Sequence, residues 1–224
     1  MLKSSNISRY IDLAHLKNDA GIETVTDICR KAAELSVCSV CVNPVFVKHA
    51  SGILKGTNTA VGTVVGFPLG ANNTLVKVFE AETAENEGAT EIDMVMNISA
   101  AKAAELLYVE HEIHEIRKAL SSGAILKVIL ECPLLSDPEK VAFAKLAVDS
   151  GADFVKTCTG FFGDATIKDV ELIFKVVRGK GGVKAAGGIR DLKTTLAMIE
   201  AGASRVGTSS GLEIIEQYRR QTSK

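Results

Sequence analysis

Charged side chains stand inside apolar, β-branched runs of this sequence, where buried strands are expected. Lys156, Lys184 and Asp93 are the clearest cases. Removing an ammonium or carboxylate group from water costs several kcal/mol, so such residues usually contact a ligand or a group of opposite charge. The alternative for a single strand lysine is that its stem is buried while its amine reaches solvent.

The run 91–97 has one apolar and one polar face, because alternate residues of a strand point in opposite directions. Asp93 lies on the polar face. A buried carboxylate there requires a cation, for which Lys156 and Lys184 are the candidates. Two ammonium groups in a partly desolvated site disfavour each other's charged form, which leaves one amine free to attack a carbonyl carbon. A purely structural ion-pair network is the alternative.

Eight short β-branched runs alternate with helical patterns, which is typical of βα units around a parallel sheet. We predict strands near residues 9–13, 37–42, 60–66, 91–96, 125–130, 153–157, 183–186 and 204–208. Helices are predicted near 24–35, 44–54, 73–87, 100–121, 137–149, 166–178, 191–201 and 211–219. These units predict an α/β fold, a single (β/α)₈ TIM barrel that occupies residues 1–224 as one domain. A doubly wound open sheet is the alternative, but no G-x-G-x-x-G pattern follows the first strand.

In such a barrel the active site forms at the carboxyl ends of the strands. Asp12, Lys127 and Glu131 lie along or at the ends of predicted strands, so we expect them near the same mouth. Backbone amides of glycine-rich loops, together with helix N-termini, form anion sites. In this fold the loops after the last two strands usually hold phosphate, and here they contain Gly187, Gly188, Gly207, Ser209 and Ser210.

Metal ligation is not predicted. Cys38 and Cys41 have C-x-x-C spacing, but residues three apart on a strand point to opposite faces, so buried thiols are the better interpretation, with Cys41 near the mouth. His111 and His114 lie off the apolar stripe of their helix, beside glutamates that include Glu112. This pattern predicts a solvated helix face.

Composition argues against several classes of partner. The chain has 224 residues, a formal net charge of -1 and no long Lys/Arg block, which disfavours nucleic acid or an anionic membrane surface as the main partner. No apolar run approaches the roughly 18 residues needed to span a bilayer. The polar N-terminal residues and the odd number of cysteines, 5, predict a cytoplasmic protein with reduced thiols. A small anionic ligand needs only a local cationic site.

Five segments, in order along the chain, give the sequence a specific resemblance to a known family. The segments are Ser39–Pro44, Val65–Gly70, Glu91–Asn97, Phe154–Thr157 and Val183–Arg190. From about Ile11 to Gly211 the chain resembles the deoxyribose-phosphate aldolases. This resemblance implies a class I aldolase without metal or cofactor on a (β/α)₈ barrel. It also implies a homodimer and reversible cleavage of 2-deoxy-D-ribose 5-phosphate to D-glyceraldehyde 3-phosphate and acetaldehyde.

The resemblance further implies roles for individual residues. Lys156 matches the lysine that forms the Schiff base, Lys184 the neighbouring amine that favours its neutral form, and Asp93 the acid that moves protons through water. The supporting and substrate-binding positions that it implies are Asp12, Cys41, Lys127, Thr157, Gly187, Gly188, Gly207, Ser209 and Ser210.

Two positions depart from the pattern of this family. Ala14 stands where many relatives have threonine, which removes a hydroxyl, and Phe161 stands where some have a polar or basic residue, which removes a phosphate contact. The alternative functions are another phosphate-binding barrel enzyme, either a different class I aldolase or an epimerase, and a sugar-phosphate binder without catalysis.

Overall fold

The computed structural model describes residues 7–222, in which eight parallel strands form a closed barrel. Each strand pairs with the next along the chain, and β8 closes the barrel against β1. The predicted barrel is therefore confirmed, and the open sheet is excluded. The strands are β1 (Ile11–His15), β2 (Ser39–Val42), β3 (Ala60–Val65), β4 (Glu91–Val95), β5 (Ile125–Ile129), β6 (Phe154–Lys156), β7 (Gly182–Ala186) and β8 (Arg205–Thr208).

Helices follow the strands and pack their apolar faces against the outside of the barrel. They are α1 (Ile22–Glu34), α2 (Val47–Leu54), α3 (Thr74–Asn86), α4 (Ile98–Lys102), α5 (Leu106–Ala119), α6 (Asp137–Asp149), α7 (Ile167–Val177), α8 (Leu192–Glu200) and α9 (Gly211–Thr222). Within residues 7–222, no helix has the length and apolar character needed to cross a membrane.

Two predicted element boundaries are wrong. The helix expected over 100–121 is divided into α4 and α5, because Ala104 adopts a φ of +57°, which a right-handed helix cannot accommodate. Leu106, at the start of α5, is exposed, whereas Val109 is buried. The first strand begins at Ile11 rather than at residue 9, because Ile7–Tyr10 forms a 3₁₀ helix.

Glycine follows the ends of several helices. Gly88, Gly151 and Gly202 follow α3, α6 and α8 with φ values of +106°, +98° and +114°, a range that L side chains rarely adopt. At Gly202 space is also lacking, since a Cβ atom would lie 2.4 Å from Cγ of Phe174. Gly123 precedes β5 without a positive φ.

The predicted solvated face of α5 is only partly solvated. His111 and His114 are exposed as expected, but Glu112 is fully buried. Its Oε1 accepts a hydrogen bond from Lys77 Nζ over 2.6 Å, and its Oε2 accepts one from the Asn97 backbone amide over 2.9 Å. The prediction failed because Lys77 lies on α3 and gives no local signal near Glu112.

The strand register places the candidate residues beside one another. Asp93 is paired with Lys127 across β4 and β5, and Lys156 is paired with Lys184 across β6 and β7. All four side chains are buried, and they contact each other rather than the helices. The alternate residues of β4 belong to the apolar core, as predicted, and include Ile92 and Met94.

Candidate active site

A network of ion pairs fills the barrel below its mouth. Asp93 Oδ2 accepts hydrogen bonds from Lys156 Nζ over 2.8 Å and from Lys184 Nζ over 2.7 Å. Its Oδ1 accepts a third hydrogen bond, from Lys127 Nζ over 2.9 Å. The structure thus brings Asp93 together with both of the cations proposed for it and adds Lys127 as another partner.

Two more carboxylates and an arginine extend this network. Lys184 Nζ lies 2.7 Å from Asp12 Oδ2, and Lys127 Nζ donates to Glu91 Oε2 over 2.7 Å. Arg205 joins both carboxylates, since its Nε donates to Asp12 Oδ1 over 2.6 Å and its Nη2 to Glu91 Oε2 over 2.7 Å. Sequence reasoning missed Arg205. The sequence could have indicated it, because alternation along β8 places Arg205 on the same face as Gly207, one of the glycines predicted to bind phosphate.

Positive groups outnumber negative groups in this network. Among the described residues, the ion pairs join three carboxylates to four cationic side chains, which leaves one excess positive charge when all are ionised. The carboxylates are Asp12, Glu91 and Asp93, and the cations are Lys127, Lys156, Lys184 and Arg205. Release of one proton from an amine would make the network neutral.

The pKa values of the buried groups depend on burial and on the charges of their ion-pair partners. Burial disfavours the ionised form of Asp93, but the ammonium groups of Lys127, Lys156 and Lys184 outweigh it and hold the pKa of this carboxyl well below its usual 3.8. Burial also opposes the charge of Lys184, but the carboxylates of Asp12 and Asp93 raise its pKa above the usual 10.5. The sequence predicted that the two amines would lower each other's pKa, but for Lys184 the two carboxylates outweigh this effect and favour the charged form.

A pocket of about 350 Å³ opens at the carboxyl ends of the strands. Lys156 and Lys184 line it although they are only 4% and 1% exposed, so their amines lie at its base. Cys41 also lines the pocket, as predicted, and burial raises the pKa of its thiol to about 11. The other predicted residues that line it are Gly187, Gly188, Gly207 and Ser209.

Several predicted site residues lie outside the pocket. Asp12, Asp93 and Lys127 are buried beneath the two amines, which they contact through the network. Thr157 is turned away, because its hydroxyl donates to the carbonyl of Ala186 over 2.9 Å and accepts from the amide of that residue over 3.0 Å. Its hydroxyl therefore ties β6 to β7 and does not face the pocket.

Ser210 does not line the pocket either. It directly precedes α9, and its carbonyl accepts a hydrogen bond from the Ile214 amide over 3.0 Å. Its backbone amide donates to the Thr208 hydroxyl over 2.9 Å. The structure thus assigns Ser210 to the start of a helix, while the neighbouring Ser209 lines the pocket.

The loop after β7 combines positive-φ glycines with a cation. Gly187 and Gly188 have φ values of +103° and +73°, and a Cβ atom at Gly188 would lie 2.3 Å from Cγ of Asp164. Arg190 lines the pocket from this loop, and Lys17 lines it from the loop after β1. Sequence reasoning missed both cations, although each closely follows a predicted strand. Their charges suit an anionic ligand.

Glu131 fixes the loop after β6. Its carboxylate is fully buried, and Oε2 accepts a hydrogen bond from the amide of Thr159, a pocket-lining residue, over 3.1 Å. Burial raises the pKa of Glu131, although the hydrogen bonds from Thr159 and the charge of Lys156 oppose this shift. Glu131 also adopts a φ of +58°, a conformation that costs about 1–2 kcal/mol outside glycine. The surrounding contacts therefore hold a strained residue in place.

Sequence similarity identifies the family of this chain. Residues 9–217 match the profile of the DeoC/LacD family aldolases. The chain belongs to the DeoC/LacD family of aldolases. This aldolase is 50% identical over 219 residues to the deoxyribose-phosphate aldolase of Caldanaerobacter subterraneus, with 96% of this chain and 95% of that chain covered. It is equally 50% identical over 219 residues to the protein of that name from Thermococcus kodakarensis, with 96% and 98% covered.

Solved structures share the fold of this aldolase. A protein described as QR15, an aldolase, is 42% identical and has a TM-score of 0.93, with 98% of this chain and 100% of that chain covered. The deoxyribose phosphate aldolase of Aeropyrum pernix, described as a unique tetramer, is 34% identical with a TM-score of 0.89, and 96% and 91% are covered. The predicted barrel fold and the predicted membership of an aldolase family are both confirmed.

Proposed function

We propose that this aldolase reversibly cleaves 2-deoxy-D-ribose 5-phosphate to D-glyceraldehyde 3-phosphate and acetaldehyde through a Schiff base on Lys156. The observation that carries this proposal is the pair of amines, Lys156 and Lys184, that share Asp93 Oδ2 at the base of the pocket. The names of relatives that are 50% identical over nearly the whole chain support the substrate.

The contacts of Lys156 favour it as the amine that forms the Schiff base. Among the residues that the structure describes, it forms an ion pair with Asp93 alone, whereas Lys184 pairs with two carboxylates and has a raised pKa. Lys127 pairs with Glu91 as well as Asp93, and these carboxylates raise its pKa against the opposing effect of burial. Lys156 is therefore the amine of this network that the fewest carboxylates hold, which favours it as the nucleophile.

The reaction follows from a neutral amine at this position. Lys156 Nζ attacks C1 of the open-chain aldehyde, and loss of water from the carbinolamine gives an iminium ion. The C3 hydroxyl loses its proton as the C2–C3 bond breaks, and the bonding electrons move into the iminium to give an enamine. Three carbons leave as D-glyceraldehyde 3-phosphate. Protonation of the enamine at C2 and hydrolysis release acetaldehyde and restore the amine.

Asp93 acts in this proposal without storing a proton. Because its pKa is held well below the usual range, its carboxylate remains an acceptor that aligns Lys156, Lys184 and a reacting water. Protons then pass through that water to and from the carbinolamine and the enamine. Asp12 and Lys127 support Asp93 from beneath.

The phosphate group is placed at the loops after β7 and β8. Gly187, Gly188 and Ser209 line that side of the pocket, and Arg190 and Lys17 add positive charge. A phosphate there would leave the aldehyde end of the sugar directed toward the base of the pocket, where Lys156 lies. This arrangement supports a phosphorylated substrate.

Release of acetaldehyde from 2-deoxy-D-ribose 5-phosphate tests the proposed reaction. We expect turnover by the unsubstituted protein and loss of at least about a thousandfold in Lys156→Ala, because no other amine of the network is free to form the Schiff base. Lys168→Ala is the matched control, since that lysine is 75% exposed on α7 and should retain full turnover. Absence of acetaldehyde with intact protein would contradict the proposal and favour another barrel enzyme or a sugar-phosphate binder.

A homodimer and a cytoplasmic location remain predictions from the sequence. Sedimentation velocity measures the first, and a single species with the mass of a monomer or a tetramer would contradict it.

A further inference from the structure

Glu131 combines complete burial with a backbone conformation that non-glycine residues rarely adopt. Its φ is +58°, and the other non-glycine residues with positive φ within residues 7–222 are Ser36 and Ala104. Those two are exposed and follow helices, where a left-handed residue commonly ends the helix. Glu131 follows β5 instead and is 0% exposed. Helix capping therefore does not explain its conformation, and a strained residue beside an active site indicates a functional constraint.

The carboxylate of Glu131 holds the backbone of the loop after β6. Its Oε1 and Oε2 both accept a hydrogen bond from the Thr159 amide, over 3.3 and 3.1 Å. Burying a carboxylate costs free energy, and this contact, which a hydrocarbon side chain could not make, offsets part of that cost. The proposed reaction draws no proton from Glu131, so its effect on the pocket depends on this hydrogen bond.

The loop that Glu131 holds forms part of the pocket wall. Thr159, Gly160 and Phe161 all line the pocket, and the Phe161 amide donates to the Thr159 hydroxyl over 3.1 Å. Gly160 has a φ of +90°, and a Cβ atom there would lie 3.6 Å from Cα of Gly187. The backbones of the loops after β6 and β7 therefore pack against each other. A displacement of Thr159 would move the backbone beside the loop that is proposed to bind phosphate.

Lys156 is anchored separately from this loop. It ends β6, its carbonyl accepts a hydrogen bond from the Leu130 amide over 3.0 Å, and its Nζ donates to Asp93. Thr157, the next residue, is tied to β7 by two hydrogen bonds with Ala186. Loss of the hydrogen bond in the loop would thus leave the amine in place.

We propose that Glu131 is a positioning residue for substrate binding, whose carboxylate acts through the Thr159 amide to hold the loop after β6 in the shape that receives the phosphorylated sugar. The inference rests on the proposed function, because it concerns the same pocket and the same substrate. Glu131 does not line the pocket itself. It therefore affects the binding of 2-deoxy-D-ribose 5-phosphate, and not the formation of a Schiff base from acetaldehyde, which is small and lacks phosphate.

Two variants of similar length separate the hydrogen bond from the backbone strain. Glu131→Gln keeps an oxygen that can accept from the Thr159 amide, whereas Glu131→Met fills similar space without one, and both retain the positive φ. We expect KM for 2-deoxy-D-ribose 5-phosphate to rise about tenfold in Glu131→Met, because the loop amide loses its acceptor. In the same variant kcat should stay within about twofold of the intact value, and Glu131→Gln should keep both constants within that range.

Reductive trapping with acetaldehyde is the second measurement. The rate of adduct formation on Lys156 should be equal in both variants and in intact enzyme. If Glu131→Met does not fold, Glu131→Asn replaces it, because asparagine tolerates the left-handed region and its side chain is one methylene too short to make the same contact.

An unchanged KM in Glu131→Met, an equal rise of KM in Glu131→Met and Glu131→Gln, or slower trapping in Glu131→Met would overturn the inference. Failure of the proposed function is distinguishable, because intact enzyme would then show neither cleavage of the sugar phosphate nor an acetaldehyde adduct on Lys156.

Discussion

Lys156 Nζ, at the base of the pocket, donates a hydrogen bond over 2.8 Å to Oδ2 of Asp93, which is buried beneath it. The same oxygen accepts from Lys184. A single carboxylate oxygen thus aligns two amines of different character. Lys184 is held as a cation by two carboxylates, whereas Lys156 has no second ionic partner within residues 7–222. This difference is the basis of the predictions for the site.

Replacement of Asp93 by asparagine should destabilise the fold at neutral pH. Its carboxylate offsets three buried ammonium groups, and breaking such contacts costs about 3–5 kcal/mol. The folded-state pKa lies below the usual 3.8, so the stabilisation is present above that pH and is lost as the pH falls through the folded value. Urea unfolding at pH 7 and below pH 4 should show the difference between Asp93→Asn and intact protein shrink on acidification. A difference that stays constant would contradict this assignment.

Replacement of Lys184 by methionine should slow the reaction and move its pH dependence. Removal of a fixed cation lowers the positive potential at the base of the pocket, so the acid limb of the pH–rate profile should shift to alkaline pH. At pH 7 we expect kcat/KM to fall about a hundredfold. Lys184→Arg keeps the charge and should leave the limb near its original position. An acid limb at the same pH in Lys184→Met and in intact enzyme would show that Lys184 does not act through its charge.

The buried pair between Lys77 and Glu112 should contribute to stability without a direct part in the chemistry. Burial lowers the pKa of Lys77 and raises that of Glu112, in each case against the attraction of the partner. Lys77→Met leaves a buried carboxylate without its cation and should cost about 3–5 kcal/mol. Lys77→Met/Glu112→Gln removes that charge, keeps an acceptor for the Asn97 amide, and should recover about 1–2 kcal/mol.

Denaturant unfolding of the two single variants and the double variant measures this coupling. Since the pair lies outside the pocket, kcat/KM of variants that fold should change little. Additive effects of the two substitutions would contradict a direct interaction between these side chains.

The pocket thiol should react slowly despite its position. Burial raises the pKa of Cys41 to about 11, so at pH 8 only about one molecule in a thousand carries the reactive thiolate. Burial likewise raises the pKa of Cys29 to about 11 and that of Cys158 to about 12. Mass spectrometry after iodoacetamide treatment should show much slower alkylation of native than of unfolded protein. Rapid, selective labelling of Cys41 would contradict this environment.

The central part of the site could be predicted from the sequence because local rules fix it. Alternation along a strand placed Asp93 inside the barrel, and parallel order placed Lys156 beside Lys184. Strand order alone did not reveal how many carboxylates each amine would meet. Lys184 is held as a cation because it contacts Asp12 as well as Asp93. Asp12 lies on a strand far away in sequence, so strand order alone gives no sign of this contact.

The features that were missed depend on contacts between remote segments. Glu112 looked solvated because its polar neighbours on α5 are exposed, while its partner lies on another helix. Phe161 was interpreted only as a position at which a phosphate contact is lost. Nothing near it in the sequence indicates that its ring contacts Phe67. Thr157 directly follows Lys156, but alternation turns its hydroxyl to the neighbouring strand.

Reductive trapping tests the central claim most directly. Acetaldehyde and borohydride should add one reduced two-carbon group to the intact protein, and peptide mapping should locate it on Lys156. Lys156→Ala should give no adduct, whereas Lys168→Ala should be trapped like intact protein. An adduct on Lys184 or any other lysine in the intact protein, or none at all, would contradict the account.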